Sequence, residues 1–565
     1  MPVTPRRIPA AWPKHLPTSL ETPATSLWFN LEVAARRYPG KAAYVFFGQE
    51  LTYADLRSQA EAVAGWLHQR GVKAGDRVLL QMQNCPQFVA AYYGVLRADA
   101  VVVPVNPMNK PDEIDHCLRD SGAKLIICSI DVAAAVQDVV GAIDAADRPA
   151  VVVTRYTDAM PQGSIAEAEA PPAAFHSWLY ADPVWRETWH SWSNILAQAL
   201  VPPAHMAGPN ALAMLPYTSG TTGKPKGCMH PHATLMHSGI ATGMWQQMSA
   251  ESQTLAVVPM FHITGLVTMV LATVYLGATA VIMPRWDREL AGRLITTRRL
   301  SHFVCIPTML IDLLASPNLA AFDFSSLHNL CGGGSAMPEA VALRLRDQYG
   351  LTFVEGFGLT ETAAMTHMNP VHRTKFQCLG LPVFGNDVRV IDPDSRVELP
   401  QGQTGEIVIS GPTVFEGYWK QPQATLDSFI RLEERQFFRT GDLGHVDDDG
   451  YFFLTDRIKR MINASGFKVW PAEVEAILYR HPDIQEACVV GSPDSYRGET
   501  VKALVVRKPG ASDELTNASL IDWAKSQMAA YKVPRIVEFV DQLPKSASGK
   551  VLWRALQERE STGAR

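Results

Sequence analysis

Short apolar runs rich in β-branched residues alternate along the chain with longer segments of helical periodicity. Within residues 51–69, for example, Leu56, Ala60, Val63 and Leu67 recur on one face of a predicted helix. Apolar runs that are separated by helix-length segments are typical of largely parallel sheets covered by helices. The pattern predicts such strands at residues 77–81, 101–105, 124–128, 151–154 and 254–258.

Residues 263–283 carry no charged side chain and are numerous enough to cross a bilayer. The segment nevertheless contains Gly265 and Gly277, and no basic residues flank its N-terminal side. We therefore predict a buried helix, a turn at Gly277 and a strand at 278–283, and no transmembrane span. Peripheral membrane contact stays open.

The remaining regions complete the predicted organisation. Residues 156–208 lack periodicity and predict an irregular connection with one helix at 190–200, whereas 402–410 and 450–455 predict hairpin strands. Towards the C-terminus, 471–479 and 520–528 predict helices, and 488–490 and 502–507 predict strands. We expect an α/β fold: a large N-terminal domain of two mostly parallel, helix-flanked sheets plus a small β-rich subdomain, and a small mobile α+β C-terminal domain. The predicted boundaries are 1–456 for the large domain, 457–461 for a hinge and 462–565 for the small domain.

Composition excludes several classes of protein. The 565 residues are 47% apolar and 19% charged, with a net charge of -5, which is typical of a globular protein without a nucleic-acid-binding surface. The eight cysteines are scattered, mostly in apolar contexts, which favours reduced thiols in the cytoplasm. The first residues lack the apolar core of a signal peptide.

Residues 217–227, Tyr-Thr-Ser-Gly-Thr-Thr-Gly-Lys-Pro-Lys-Gly, concentrate glycines, hydroxyl side chains and lysines after an apolar run. Glycines let the backbone approach a ligand closely, and hydroxyl and ammonium groups donate hydrogen bonds to anionic oxygens. The segment therefore predicts a polyphosphate-binding loop. It is not a Walker loop, because only two residues separate Gly220 from Gly223 and Pro225 follows Lys224.

This loop resembles the signature of the adenylate-forming superfamily, which includes acyl-CoA synthetases, adenylation domains and beetle luciferases. Further segments resemble that family's motifs in its order and spacing, and together they extend from about the first third of the chain to near its end: 259–265, 355–362, 439–444, 456–462 and 544–550. The resemblance implies an enzyme that uses ATP, Mg²⁺ and coenzyme A to convert a carboxylic acid first into an acyl-adenylate and then into a thioester.

The resemblance also implies roles for individual residues. Residues similar to the family's ATP- and AMP-binding set are Thr218, Ser219, Gly220, Thr221, Thr222, Gly223, Lys226, Gly334, Glu355, Gly356, Phe357, Asp442 and Arg457. Thr360 would contact the α-phosphate, and Glu361 with Thr222 would hold Mg²⁺, which prefers a carboxylate and phosphate oxygens. Asp442 would accept both ribose hydroxyls. Phe357 stands where the family most often has Tyr, so ring stacking is kept without a phenolic hydroxyl.

The remaining implied roles concern catalysis, the hinge and thioester formation. Lys550 would stabilise charge during adenylation, and His262 would lie at the entrance for the carboxylate. Lys459 would be the pivot about which the small domain rotates between the two half-reactions. The residues implied on the coenzyme A side are Ser465, Gly466, Lys468 and Arg497.

The acyl pocket is predicted from small and aromatic residues. Gly358 stands where acetate- and propionate-type enzymes of the family place a bulky Trp. Gly239 and Gly243 leave room on the helix after the phosphate loop, and Trp245 would shape the end of the pocket, which His262 also lines. We therefore predict a medium- to long-chain fatty acid as substrate.

Alternatives stay open at this point. An aryl or arylpropenoic acid is the alternative within the class, and a stand-alone adenylation protein or a non-catalytic acyl- or nucleotide-binding homologue are alternatives outside it. A homodimer also stays open. A metal site at Cys228, His230, His232 and His237 is not expected, because the spacing departs from zinc-site patterns.

Overall fold

The structure is a computed structural model that describes residues 9–182, 185–186, 188–218, 225–334, 336–457, 460–464, 467–494, 498–512, 514–545 and 551–563. The chain divides into two compact units: Met1–Asp387 with Ser410–Gln436, and Val388–Ile409 with Phe437–Arg565. The strands predicted for the β-rich subdomain thus fall in the second unit, and the predicted boundaries at 456 and 461 stay a prediction.

The first unit contains two sheets whose inner strands run parallel. In spatial order, the strands of one sheet are Leu381–Pro382, Ala364–Met368, Phe353–Leu359, Asn329–Gly333, His302–Cys305, Gln253–Ala256, Thr279–Ile282, Ala42–Phe46 and Gln49–Thr52. Those of the other sheet are His230–Pro231, Leu212–Met214, Val101–Pro104, Arg77–Gln81, Leu125–Ser129, Ala150–Thr154 and Trp189–Ser191. Among the described residues, the antiparallel pairs of these two sheets lie at the ends of each strand order, so the predicted parallel core is confirmed.

Helices cover both sheets of the first unit. Their bounds are Trp28–Arg37, Tyr53–Gln69, Pro86–Arg97, Pro111–Ser121, Ala133–Gly141, His176–Leu179, Trp192–Ala197, His232–Trp245, Ile263–Gly265, Thr273–Leu276, Arg288–Arg298, Pro307–Leu314, Glu339–Tyr349 and Pro422–Asp427, with a π-helix at Leu266–Ala272. Short 3₁₀ turns lie at Ile130–Val132, Tyr156–Ala159, Glu167–Glu169, Ala173–Phe175, Leu319–Ala321, Thr360–Thr362 and Val371–Arg373.

Two helices predicted in the first unit are shorter than expected. The helix predicted at 51–69 begins at Tyr53, because the Thr52 side chain accepts the backbone N–H of Asp55 and caps the helix there. The helix predicted at 190–200 is Trp192–Ala197, and an edge strand, Trp189–Ser191, precedes it.

The apolar segment 263–283 has the predicted sequence of elements. It begins as a helix, passes through the π-helix, ends at Gly277 in the left-handed conformation with φ of 72°, and continues as the buried strand Thr279–Ile282. Within the described part of the chain, no helix has both the length and the apolar character needed to span a membrane.

The second unit holds most residues of two smaller sheets; Asp387, Ser410, Arg435 and Gln436 belong to the first unit. One includes the strands Asp387–Ile391, Gly405–Ser410, Arg435–Val446 and Phe452–Arg457, the last two antiparallel to each other. The other includes Ile462–Ala464, Phe467–Val469, Ile484–Asp494, Gly498–Arg507 and Ile536–Phe539, with helices at Pro471–Leu478, Asn517–Gln527 and Trp553–Gly563. An apolar core that includes Val474, Val489 and Leu520 lies beneath this α+β layer. The α/β class and the small α+β element are confirmed.

Candidate functional site

The predicted phosphate loop begins and ends in a short β-hairpin. After the strand Leu212–Met214, Tyr217–Thr218 pairs antiparallel with Lys226–Gly227, so Thr218 lies directly opposite Lys226. Ser219, Gly220, Thr221, Thr222 and Gly223 lie outside the described residues, and their roles stay predictions. Thr218 and Lys226 therefore mark the base of the predicted loop.

The hairpin is fixed by a second segment that lies outside every predicted motif, residues 415–419. The N–H of Trp419 donates to the carbonyl of Gly227 at 2.8 Å, and the N–H of Met229 donates to the carbonyl of Gly417 at 2.9 Å. Tyr217 also donates its hydroxyl to the carboxylate of Asp120 at 2.6 Å. The arm that leaves the predicted loop is consequently held by backbone hydrogen bonds along its length.

Glu361 lies close to this hairpin, in the 3₁₀ turn that follows the strand Phe353–Leu359. Tyr418 donates its hydroxyl to Oε1 of Glu361 at 2.9 Å, and the Nζ atom of Lys226 lies 4.8 Å from the centre of the Tyr418 ring. Nε2 of the buried His230 lies 2.8 Å from the carbonyl oxygen of Thr360. The structure thus brings together Lys226, Thr360 and Glu361, which the sequence places in two separate motifs.

The turn after Glu361 has a backbone that few residues adopt. Ala363 and Ala364 have φ angles of 48° and 76°, in the left-handed region that residues with a side chain rarely occupy. The hydroxyl of Thr362 accepts the N–H of Leu359 at 2.9 Å, and Ser238 donates its hydroxyl to the carbonyl of Ala363. Consecutive unfavourable residues of this kind persist only where the surroundings fix them, which commonly occurs at functional sites.

The predicted adenine-binding residues lie on and beside the strand Phe353–Leu359. The half-buried ring of Phe357 lies 5.7 Å from that of His367, and Gly334 has a φ of 89°, which favours glycine. The carboxylate of Glu355 is buried and accepts the N–H groups of Met337 at 2.7 Å and Cys378 at 3.3 Å. Burial raises the pKa of Glu355 to about 7, against the opposing effect of these hydrogen bonds. Glu355 therefore holds two backbone segments together beside the predicted adenine pocket.

His262 caps the helix Ile263–Gly265, since its Nδ1 atom accepts the N–H of Thr264 at 3.3 Å. The segment before it is fixed by Asn84, a buried residue that follows the strand Arg77–Gln81 of the other sheet. The Asn84 amide donates to the carbonyl of Val258 at 3.1 Å, and its oxygen accepts the N–H of Met260 at 2.7 Å. No motif contained Asn84; its only signal in the sequence is its place in the polar pair Gln83-Asn84 after an apolar strand.

The structure gives a different reason for the two helix glycines than the predicted open pocket. A side chain at Gly239 would begin 3.0 Å from Cβ of Leu271, and one at Gly243 would begin 2.7 Å from Cδ1 of Leu276. These glycines let the helix His232–Trp245 pack closely against the segment 266–276. The interpretation of these glycines as open space is corrected accordingly, and their place in the acyl pocket stays a prediction.

Gly358 requires a similar correction. An ideal Cβ at this position would lie 1.2 Å from the carbonyl oxygen of Ala364, on the antiparallel neighbour strand, where the register shifts between Phe357 and Gly358. The strand therefore needs glycine at position 358, because the backbone of Ala364 occupies the space that a side chain would need. A comparison with enzymes that carry Trp at this position does not by itself show an open pocket.

Trp245 is buried at the end of its helix. Its indole N–H donates to the carbonyl of Asn369 at 3.0 Å, and its ring meets Trp12 and Phe384 edge to face at 5.1 Å and 5.8 Å. These three contacts fix the Trp245 side chain, as expected of a residue that shapes the end of the predicted acyl pocket.

In the second unit, Asp442 and Arg457 form an ion pair, and their roles at the ribose stay predictions. They face each other on antiparallel strands, and Nε of Arg457 lies 2.9 Å from Oδ1 of the buried Asp442. The backbone N–H of Asp442 donates to Thr440 at 3.1 Å, which fixes the turn that carries it.

Residues beside and within the predicted hinge are anchored within the second unit. Asp456 accepts the N–H of Ala472 at 2.6 Å at the start of the helix Pro471–Leu478, and the guanidinium of Arg460 pairs with Glu475. Lys468 lies on the strand Phe467–Val469. Lys459, Ser465, Gly466, Arg497 and Lys550 lie outside the described residues, and their roles stay predictions.

The donor groups near Glu361 fit the cation that the resemblance implies. Glu361 offers a carboxylate whose Oε1 already accepts one hydrogen bond, and a hard cation held by one carboxylate and phosphate oxygens is the arrangement Mg²⁺ prefers. The histidines after the loop are each engaged by a different backbone group: His230 by Thr360, His232 by the N–H of Leu27 and His237 by the carbonyl of Phe384.

Comparison with known proteins agrees with this geometry. The family described as "AMP-binding enzyme" matches residues 31–419, and its C-terminal domain matches residues 473–550. A long-chain-fatty-acid–CoA ligase of Bacillus subtilis is 34% identical over 558 residues, which is 98% of each chain. A feruloyl-CoA synthase of an Amycolatopsis species is 33% identical over 527 residues, 93% of this chain and 97% of the relative. The structure of ATP-bound MatB from Rhodopseudomonas palustris superposes with a TM-score of 0.81 at 26% identity, covering 95% of this chain and 100% of MatB.

Proposed function

The chain belongs to the AMP-binding enzyme family, and from that premise we propose that it is an ATP-dependent acyl-CoA ligase for a medium- to long-chain fatty acid. In the first half-reaction, a carboxylate oxygen of the acid attacks the α-phosphorus of ATP, and pyrophosphate leaves. In the second, the thiol of coenzyme A attacks the acyl carbonyl, loses its proton, and AMP leaves. The observation that carries the proposal is the grouping of Lys226, Thr360 and Glu361 at the base of the predicted loop.

Each of these residues has a defined part in this scheme. Lys226 and the hydroxyl of Thr218 would bind phosphate oxygens, and Thr360 would donate a hydrogen bond to the α-phosphate. Bound Mg²⁺ would neutralise charge on the phosphates, and Glu361 would hold it. Lys550 would stabilise the charge that develops between the acid and the α-phosphate, and rotation at Lys459 would then present the coenzyme A side, with Ser465, Gly466, Lys468 and Arg497.

The choice of acid rests on the relatives, since the corrected roles of Gly239, Gly243 and Gly358 remove the argument from open space. The fatty-acid relative and the feruloyl relative are nearly equally similar to this chain. An arylpropenoic acid is therefore the second candidate substrate. Action in the cytoplasm also belongs to the proposal, as does the use of Mg²⁺; a homodimer stays open.

A pyrophosphate-release assay tests the proposal. The purified chain is given ATP, Mg²⁺ and one acid at a time, from acetate to stearate together with benzoate, coumarate and ferulate, with and without coenzyme A. Highest kcat/KM for octanoate to stearate would support the fatty-acid ligase, and highest kcat/KM for ferulate or coumarate would support the second candidate. If neither the unsubstituted chain nor Glu361→Gln releases pyrophosphate with any acid, both candidate functions are contradicted.

A further inference from the structure

We propose that Tyr418 is a positioning residue that sets Lys226 and Glu361 at a fixed separation, one through its ring and the other through its hydroxyl. The inference rests on the proposed function, because that function supplies the roles of Lys226 and Glu361. Tyr418 itself belongs to none of the motifs that carry the family resemblance.

The backbone of Tyr418 is fixed from the side of the phosphate loop. Tyr418 forms an antiparallel bridge with Cys228, and the hydrogen bonds of Gly417 and Trp419 to Met229 and Gly227 flank that bridge. The position of the Tyr418 side chain is therefore tied to the outgoing arm of the hairpin, and a shift of that arm shifts the ring as well.

The hydroxyl of Tyr418 acts on Glu361. It donates to Oε1 at 2.9 Å, while the N–H of Phe415, three residues earlier, donates to the backbone carbonyl of Glu361 at 2.8 Å. The hydroxyl is the donor of this pair, because a carboxylate offers only acceptor oxygens. The backbone of Phe415 thus fixes the main chain of Glu361, and the side chain of Tyr418 fixes its carboxylate.

The ring of Tyr418 acts on Lys226. The ammonium lies 4.8 Å from the ring centre, within the range of a cation–π interaction. A ring contact of this kind attracts the lysine without using any acceptor site of the carboxylate. Tyr418 can therefore hold opposite charges near each other while each remains suited to its own ligand, phosphate for Lys226 and a divalent cation for Glu361.

Two substitutions separate the two contacts. Tyr418→Phe keeps the ring and removes the hydroxyl, so we expect Mn²⁺ affinity to fall by about 10-fold or more, the usual effect of losing a hydrogen bond that orients a metal ligand. Tyr418→Leu also removes the ring, so we expect it to bind α,β-methylene-ATP about 3-fold or more weakly than Tyr418→Phe does. Mn²⁺ binding is followed by electron paramagnetic resonance in the presence of that analogue, and nucleotide binding by calorimetry, so neither readout needs turnover.

The chain offers a matched control in Tyr156. Its hydroxyl also donates to a carboxylate at 2.9 Å, that of Asp131, and the side chain is buried away from the loop. Tyr156→Phe should leave Mn²⁺ affinity unchanged, and Glu361→Gln should abolish the Mn²⁺ signal. Thermal unfolding of every variant verifies that it is folded.

Each outcome has one meaning. Wild-type Mn²⁺ affinity in Tyr418→Phe, an equal loss in Tyr156→Phe, or an unchanged signal in Glu361→Gln would each overturn the positioning role. If the wild-type chain binds Mn²⁺ and responds to Tyr418→Phe as expected but releases no pyrophosphate with any acid, the proposed function fails and the role of Tyr418 stands.

Discussion

Replacement of Asn84 by alanine should loosen the segment that leads to His262. Asn84 is 2% exposed, and its side chain is the link between residues 256–260 and the other sheet. Its loss would leave the N–H of Met260 buried without its acceptor, which costs about 1–3 kcal/mol, and would break the bonds to the carbonyls of Ala256 and Val258. We expect local opening to become easier by about 3 kcal/mol, which corresponds to about a 10²-fold loss of protection.

Amide hydrogen exchange measures this effect directly, because local opening exposes the N–H of Met260 to solvent. A peptide that covers residues 256–262 should exchange faster in Asn84→Ala, while peptides from the strand Asn329–Gly333 should be unaffected. The KM for the acid should rise and the KM for coenzyme A should stay constant, since His262 is expected at the carboxylate entrance.

The buried Asn329 supplies the control. Its amide donates to the carbonyl of Gln246 at 3.0 Å, so Asn329→Ala also removes a buried amide, but one that does not contact residues 256–260. Unchanged protection of Met260 in Asn84→Ala would refute the reasoning. Equal loss of protection in both variants would show a general loss of stability instead of a local one.

Three further predictions concern catalysis, packing and pH. Lys550→Ala should slow acyl-AMP formation by about 10²–10³-fold and spare thioester formation from supplied acyl-AMP, measured by single-turnover kinetics; equal damage to both steps would remove Lys550 from its role. Gly243→Leu should lower the free energy of unfolding by about 1–3 kcal/mol without changing the preferred chain length of the acid. The control Gly208→Leu, with open space around it, should change neither the stability nor the preferred chain length. A shift of Gly243→Leu towards shorter acids would restore the pocket interpretation. Because burial raises the pKa of Glu355 from 4.5 to about 7, the folded state binds the proton more tightly than the unfolded state, so stability should fall by about 3 kcal/mol as the pH rises through that interval. Urea unfolding of Glu355→Gln should show a smaller fall between pH about 5 and about 8, and an unchanged slope would contradict the assignment.

Sequence periodicity predicted the parallel strands because they are buried on both faces and read as continuous apolar runs. It also predicted that a helix, a turn and a strand follow one another within residues 263–283, since Gly277 marks the turn. It did not predict the π-helix Leu266–Ala272, because that distortion of the backbone leaves an apolar segment apolar and changes no residue type.

The candidate site was predictable where its chemistry is concentrated in short motifs. Thr360 and Glu361 are neighbours in sequence, and Lys226 lies in the phosphate loop, so each could be named from its own motif. Their proximity to one another depends on residues 415–419, which return to the hairpin from almost two hundred residues later in the chain. A single tyrosine or asparagine, such as Tyr418 or Asn84, has no pattern around it that distinguishes a positioning residue from an ordinary buried one.

Glycines show why a missing side chain does not by itself predict an open acyl pocket. A missing side chain can mean open space, or it can mean that a neighbour has already taken the space. At Gly208 no atom lies within 4 Å of an ideal Cβ, whereas at Gly358 the carbonyl of Ala364 lies 1.2 Å away. The two cases carry the same letter in the sequence and make opposite predictions for a bulky substitution. Substrate size should therefore be inferred from positions whose side chains line space in the structure, and the comparison of fatty and arylpropenoic acids must be decided by the assay of pyrophosphate release.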